Sequence, residues 1–496
     1  MDWSEIIVFI IYLAFMLGIG VFFFIKTKKN GSEKTYFLGG RQMGPWVTAL
    51  SAGASDMSAW VLMGLPTSIY ATGLGNIWIP IGLILGYAIS WIVEAPRLRR
   101  FSIVANDSIT IPQYLKNRFL AKSNALQVIC AIVFLLAYTV YSASSFKACG
   151  TLFNTVTGMD PTLAMYLAAI IIVGYTFLGG FSAVCWTDFF QGLLILGGML
   201  IAPIFAMSMV DMSQASHISS NPDFWNAFSD WKSIVSGLGW GLGYFGMPHI
   251  IIRFMSMRSQ KDMKKSAIIG ISWTLLILVF AVAIGIIGLM LLGYDETTSK
   301  NSTVFIIMVR KIFPGIISGI LLSAVLAASM STADSQLLSA SSSFSSDLYK
   351  PVFRKGKASD KEMQWVGRLV VLAIAVIALL IASNPGSASI MGLVSNAWGL
   401  FGAAIGPSII LSLFWKRFSF AGAIAGISVG AVADICWLLF LSADSPTNTC
   451  VYNTGIYEII PGFFAGLIAA VIVTLATKKP AKEVEDLYDK AVSYKD

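Results

Sequence analysis

Long apolar runs, each closed by a short polar or charged stretch, recur from one end of the chain to the other. Runs near the ~20 residues that cross a hydrocarbon core predict thirteen helices. They fall at roughly 4–25, 45–71, 75–95, 125–152, 161–179, 186–210, 233–255, 266–293, 314–345, 364–383, 389–415, 420–442 and 457–477, with ends placed to about ±4 residues. Two of these runs interrupt their own helicity. Span 2 carries SAGAS with Gly53 at mid-membrane and then Gly64-Leu65-Pro66; span 7 carries glycines 237, 239, 241, 243 and 246 and then Pro248. Glycine and proline both weaken the helical hydrogen-bond ladder.

Spans 2 and 7 are five apart, so five-helix units starting at each enter the bilayer from opposite faces, which defines an inverted-topology repeat. Unwound backbone at membrane depth persists only where protein or water surrounds it, and there it offers free carbonyls and helix ends to a polar ligand. A binding site is therefore expected between spans 2 and 7. The chain divides as 1–44 (first helix and loop), 45–210 and 211–415 (the two five-helix repeats), 416–477 (two peripheral helices) and 478–496 (a polar tail).

Composition agrees: 56% of the 496 residues are hydrophobic and 12% charged, against about half and a quarter in soluble domains. The expected class is an all-α, polytopic membrane protein. The first run follows an acidic start (Asp2, Glu5) and lacks a small-residue cleavage site, so it is expected to remain as a helix. The net charge of +8 reflects topology rather than nucleic-acid binding, because 29 of the 34 Lys and Arg fall in alternate loops; Lys232, Lys300, Arg310 and Lys311 lie on the other side and Lys147 within a span. The basic side, counting Arg253 with RSQKDMKK, is expected to be cytoplasmic, which puts the amino terminus outside and the carboxyl terminus inside. Cys130, Cys149, Cys185, Cys436 and Cys450 show no paired spacing. No disulfide framework or catalytic metal cluster is expected.

Four groups could carry chemistry. Asp56 in span 2 is costly in hydrocarbon, by roughly 2.5–3.5 kcal/mol on insertion scales, so it faces a partner or a cation path; capping the second half of a broken helix is the alternative. In span 9, Ala328, Ser331 and Thr332 share a face at i, i+3 and i+4. Hydroxyls and free carbonyls there suit a hard monovalent cation, while close helix packing is the alternative use of such small residues. In span 7, Trp240, Tyr244 and Pro248 are four apart and line one helical face, and Tyr141 of span 4 closes the same pocket from another helix; aromatic packing alone is the alternative. The stretch VFIIMVRKIF in the loop 295–314 and the acidic region 211–232 are candidate outer caps.

SAGASDMSAWVLMGLP, GWGLGYFGMPHIIIRFM and LLSAVLAASMSTADSQLL, together with FLGGRQMGP (37–45), YTFLGGFSAVCWTD (175–188) and YEIIPGFFAG (457–466), resemble the sodium:solute symporter family, in order and over nearly the whole chain. The resemblance implies thirteen helices around a leucine-transporter-type 5+5 inverted-repeat core. It implies Na+ held by the carbonyls of Ala54, Met57 and Ala328 and the hydroxyls of Ser331 and Thr332. Asp56 is implied in sodium coupling, as is Asp188 near a second, inner ion position, where a carboxylate at the membrane interface is the alternative. Ser58, Ala59, Tyr141, Trp240, Tyr244 and Pro248 match positions around a small zwitterionic solute, with L-proline the leading candidate.

Three departures bear on the solute. Ala59 and Thr67 stand where the family's proline carriers have glycine, and Asp334 in MSTADS is similar to other branches. The sequence thus leads to a sodium-coupled symporter in a bacterial cytoplasmic membrane, in contact with lipid, with no organic cofactor, no enzymatic role and no obligate protein partner evident. A proton-coupled carrier of the same fold and a cation channel are the rivals. An ATP-driven pump fits poorly, since in the RKGKAS stretch Pro351 occupies the place of a phosphate loop's first glycine. Lys147 is expected to snorkel, glycines 422, 426 and 430 to form a packing face, and His249 to be either a pocket or a core residue. Asp434 in span 12 has no assigned role.

Overall fold

The computed structural model describes residues 2–27, 32–210, 223–443, 446 and 449–495. Within them the chain is helical throughout; the single β-bridge joins Met43 to Met257. The order is α1 (Trp3–Thr27), α2 (Glu33–Leu38), α3 (Pro45–Asp56), α4 (Leu65–Thr72), α5 (Trp78–Ile89), α6 (Ala95–Val104), α7 (Ile111–Arg118), α8 (Ala125–Thr157) and α9 (Pro161–Met207). Then follow α10 (Trp231–Gly239), α11 (Pro248–Ser256), α12 (Asp262–Leu292), α13 (Glu296–Lys300), α14 (Val304–Ile312), α15 (Gly315–Ser342), α16 (Asp360–Ser383), α17 (Ile390–Phe414), α18 (Phe420–Leu441), α19 (Ile459–Ala476) and α20 (Lys482–Ser493).

Among the described residues, ten helices are long and apolar enough to cross a membrane. The chain is a multi-pass membrane protein. The expected spans missing from that set are the second and seventh, which are broken, and the fifth, a shorter apolar helix over Pro161–Phe177 that leads into a bend at Gly180. Residues 28–31 of the first basic loop and 211–222 of the proposed acidic cap lie outside the described residues.

Burial ranks the helices. α15 and α17 are enclosed nearly all round, whereas α1, α16, α18 and α19 keep an apolar outer face, with Ile11, Leu380, Val432 and Ile468 all exposed. Such a face needs lipid. The centre of the bundle is α15, which packs on α9, α8, α1 and α3. The amphipathic α14 buries Val304, Phe305, Ile306, Met308 and Val309 against its neighbours, and its Arg310 reaches the Thr155 carbonyl at 3.0 Å. Lys147 is satisfied inside the protein, by Ser387 Oγ at 2.9 Å and the Ala388 carbonyl at 2.8 Å.

The glycines of span 7 do something the sequence pattern did not reveal. None takes a positive φ. They lie in or next to the unwound stretch and also let backbones meet: a Cβ on Gly82 would lie 2.3 Å from the Gly237 carbonyl oxygen, and one on Gly86 would lie 2.3 Å from that of Gly241. Gly243 seats the Trp398 indole in the same way. Glycines 422, 426 and 430 behave as expected, opposing Ala470, Gly466 and Ala403.

Replacing Gly86 by alanine is expected to force two helix backbones apart, at a cost of about 1–3 kcal/mol. Thermal unfolding of the purified protein in detergent should show a lower melting temperature, and an unchanged one would refute the close crossing.

Candidate functional site

The break in span 2 is local and complete. α3 starts on Pro45, where a missing N–H costs nothing, and stops at Asp56; Met57 leaves helical geometry at φ −79°, ψ 73°. The Ser58 amide then donates to the Asp56 carbonyl at 2.9 Å, and a π-helical turn, Trp60–Gly64, leads into α4. Every residue from Val47 to Thr67 is buried. Interior polar atoms so placed must find partners inside the protein.

Those partners come from three other segments. Ser331 of α15 donates its hydroxyl to the Ala54 carbonyl at 2.7 Å and also lies 3.2 Å from the Ala328 carbonyl. Thr332 Oγ1, one residue on, is buried with no hydrogen-bond partner. Tyr244 donates to Asp56 Oδ2 at 2.6 Å, while Trp60 Nε1 and the Tyr141 hydroxyl reach the Asp56 carbonyl at 3.3 and 3.4 Å. Asp56 Oδ1 has no partner. The carboxylate makes no helix cap; it faces span 7. Ala54, Met57, Ala328, Ser331 and Thr332 are all fully buried. Neutral carbonyl and hydroxyl oxygens beside one carboxylate fit a hard monovalent cation.

Above this turn lies an aromatic wall. Trp240 stacks on Tyr457 at 5.1 Å between ring centroids and lies 6.2 Å from both Trp60 and Trp398. Tyr244 meets Trp398 edge-on at 5.0 Å. Ser58 and Ala59 are buried in the break itself.

The expectation of one helical face for Trp240, Tyr244 and Pro248 fails. Residues Trp240–Phe245 form a 3-10 helix, Met247 is extended, and Pro248 begins α11. Pro248 instead lines a small inner crevice with Ile111, Phe134, Ile252 and Ser339. His249 takes its place toward the centre, with ring centroids 5.8 Å from Tyr138 and 6.1 Å from Tyr141, and both its ring nitrogens are buried without a partner. It is no satisfied core histidine.

Asp188 is fully buried, on α9 two turns past the bend at Gly180. Its Oδ2 pairs with Arg253 Nη2 at 2.7 Å and accepts from Ser51 Oγ at 2.6 Å. Arg253 also donates to Ser51 and Ser335 hydroxyls, each at 2.7 Å, and to the His249 carbonyl. Ser335 in turn lies 3.2 Å from Asp334 Oδ1. Arg253 was counted with the cytoplasmic charges, but it is 1% exposed. The signal was an arginine inside the apolar run IIIRFM, one helical turn from His249.

The sodium:solute symporter family matches residues 36–430, which include every residue of this site except Tyr457. The chain belongs to the sodium:solute symporter family. Na+ is the coupling ion of this family of transporters. The chain is 42% identical over 491 residues to the sodium/proline symporter of Staphylococcus aureus (strain USA300 / TCH1516), covering 98% of this chain and 95% of that protein. Among solved structures, the substrate-bound, outward-open state of a Na+-coupled sialic acid symporter superposes with a TM-score of 0.78 at 22% identity, covering 97% and 99% of the two chains. A nucleobase-cation-symport-1 family transporter, closed around bromovinylhydantoin, superposes at 0.57 and 14% identity over 93% and 98%. These two likenesses establish the transporter fold.

Ala59 and Thr67, which the resemblance leads us to expect as departures from the family's proline carriers, are buried at the break and just beyond it, and Thr67 Oγ1 has no partner. The Asp188–Arg253 pair gives a further test. Removing one member of a buried pair strands the other charge, at about 3–5 kcal/mol, whereas replacing both with apolar residues is close to neutral. Arg253→Met is therefore expected to lower the melting temperature in detergent sharply. Asp188→Leu in the same chain should recover most of the loss; no recovery would mean that the pair is not what holds these helices.

Proposed function

We propose that the chain is a sodium/proline symporter: it imports L-proline, or a closely similar small zwitterion, on the inward sodium gradient by alternating access. The observation that carries this is the Ser331 hydroxyl at 2.7 Å from the Ala54 carbonyl, which joins the span 2 break to span 9 through ion-type donors. The high, full-length identity to a sodium/proline symporter supports the choice of solute.

On this proposal the carbonyls of Ala54, Met57 and Ala328 and the hydroxyls of Ser331 and Thr332 hold the ion. Asp56 supplies nearby negative charge while tied to Tyr244, and Asp188 serves a second, inner position. Trp240 and Tyr244 cover the apolar ring of the solute, with Ser58, Ala59 and Tyr141 around its polar end and Pro248 at the inner side. His249, with its unpartnered ring nitrogens, supplies a donor for the solute carboxylate. The architecture proposed is thirteen crossings with residues 45–210 and 211–415 as inverted five-helix repeats. The amino terminus is placed outside and the carboxyl terminus in the cytoplasm of a bacterial inner membrane, following the distribution of basic loops.

The energetics suffice for accumulation. Each sodium entering down 100 mV releases about 2.3 kcal/mol, and each tenfold concentration gradient about 1.4. Sodium favours the outward-open state by organising span 2 against span 9, and solute then permits closure.

Proteoliposomes loaded with choline and diluted into sodium should accumulate labelled proline, and no uptake should follow when choline replaces external sodium or a pH gradient is applied alone. Ser331→Ala is expected to raise the sodium concentration for half-maximal uptake about tenfold, the loss of about 1.4 kcal/mol from one oxygen ligand. An unchanged sodium dependence would remove Ser331 from the site. Sodium-driven uptake of a different solute would keep the coupling and reject proline. A current without solute would indicate a channel.

A further inference from the structure

Tyr457 joins the aromatic wall from outside both proposed five-helix repeats. It stands just before α19, in the non-helical segment that follows α18, beyond the residues the family matches. Its ring lies on Trp240 at 5.1 Å between centroids, closer than the 6.2 Å of Trp60 and of Trp398. Tyr457 is itself firmly held. Its hydroxyl donates to the Ser395 carbonyl of α17 at 2.7 Å, and its amide to the Ser236 hydroxyl of α10 at 3.1 Å. Trp437 of α18 donates its indole N–H to the carbonyl of the preceding residue, Ile456, at 3.1 Å. A segment without regular structure is thus pinned to three helices.

The stacked pair stands between a cavity and the break in span 2. A cavity of about 440 Å³, on the side that the basic loops assign to the outside, is lined by Trp240, Tyr457, Asn76, Ser236, Ser395 and Asn396. Asp56–Trp60 form no part of that lining. Trp60 lies on the other side of Trp240, with its own indole N–H donated to the Asp56 carbonyl at 3.3 Å. One indole therefore separates the cavity from the turn. The backbone beneath that indole is fixed, because the Trp240 carbonyl accepts from Trp398 Nε1 at 2.8 Å. What can move is the ring, about its side-chain torsions, and Tyr457 is the ring stacked against it. Stacked aromatic pairs hold each other beyond the area they bury.

We propose that Tyr457 is a positioning residue for solute binding: anchored on α10, α17 and α18, it holds the Trp240 indole across the passage from the outer cavity to the break. The inference deepens the proposed function and rests on its reading that Trp240 covers the solute. Solute entering from the cavity must part the stack, and solute beneath it is retained by it. The ion ligands are remote from this contact, on α3, Met57 and α15, so ion binding is left alone. The two peripheral helices thereby gain a part in the site, through the segment between them.

The full-length protein in proteoliposomes tests this with Tyr457→Leu, which removes the ring, and Tyr457→Phe, which keeps the ring and loses only the bond to the Ser395 carbonyl. Tyr457→Leu is expected to raise KM for labelled proline about tenfold with Vmax and the half-saturating sodium concentration held within about twofold, and Tyr457→Phe to recover most of the loss in KM. An unchanged KM in Tyr457→Leu, a fall confined to Vmax, or no rescue by phenylalanine would overturn the proposal. If Tyr457→Leu does not fold, Tyr457→Met removes the ring under the same outcomes. A second arm needs no solute. Ser58→Cys is made with the exposed Cys436 and Cys450 changed to serine, and a membrane-impermeant methanethiosulfonate is added outside right-side-out vesicles in choline. Labelling should be about tenfold faster with Tyr457→Leu than with tyrosine or phenylalanine at that position, and equal rates would refute the barrier. Wild-type protein that takes up no proline would count against the choice of solute alone, and the labelling rates would still decide the role of Tyr457.

Discussion

A helix that stops in the middle of a membrane leaves backbone groups that only protein can satisfy. In this chain the stop falls at Met57, and the surrounding structure is arranged around it. α15 supplies Ser331 to the Ala54 carbonyl, α8 supplies Tyr141 to the Asp56 carbonyl, and the 3-10 segment supplies Tyr244 to the Asp56 side chain. α15 is enclosed on nearly every side because its hydroxyls are needed there rather than at the lipid face. The small residues along it serve two ends at once. They let neighbouring backbones approach closely, and they bring hydroxyl oxygen to the approach.

A second constraint lies deeper in the bundle. Asp188, Arg253, Ser51 and Ser335 come from α9, α11, α3 and α15, so one ion pair and its hydrogen bonds tie four helices together. In a low-dielectric interior these links cannot stretch gradually without stranding charge. A rearrangement of α11 against α9 must exchange them for another complete set. That favours two discrete arrangements over a continuum, which is the physical requirement for a gate.

Much of this was legible in the sequence because the signals were chemical. The apolar runs gave the membrane class, and an aspartate amid SAGAS with hydroxyls at 331 and 332 marked two segments that the fold does bring together. What remained hidden depended on backbone geometry. The spacing of Trp240, Tyr244 and Pro248 assumed an α-helix, but the chain there is 3-10 and then extended, so Pro248 turns inward while His249 joins the aromatic residues. The span 7 glycines do mark an unwound stretch, as their composition indicated, but the backbone crossing of Gly237 and Gly241 with Gly82 and Gly86 is recorded in no local pattern. Arg253 was taken for a loop charge because its partner, Asp188, is 65 residues distant in sequence. Pairing across such a separation is set by topology.

The same geometry explains why ion and solute binding would be linked. On the proposed assignment, Ala54 and Met57 face the ion while Ser58 and Ala59 face the solute, and Asp56, just before Met57, is bonded to Tyr244 in the aromatic wall. Five of the six residues 54–59 therefore serve one site or the other. An ion that holds the Ala54 and Met57 carbonyls against Ser331 fixes the φ and ψ angles of the turn, and with them the positions of the next two residues. Ordering that backbone costs about 1–2 kcal/mol per residue. Whichever ligand binds first bears that cost, and the second binds a turn already ordered. Linkage makes the gain equal in both directions, so a tight coupling between the two requires no further contact between them.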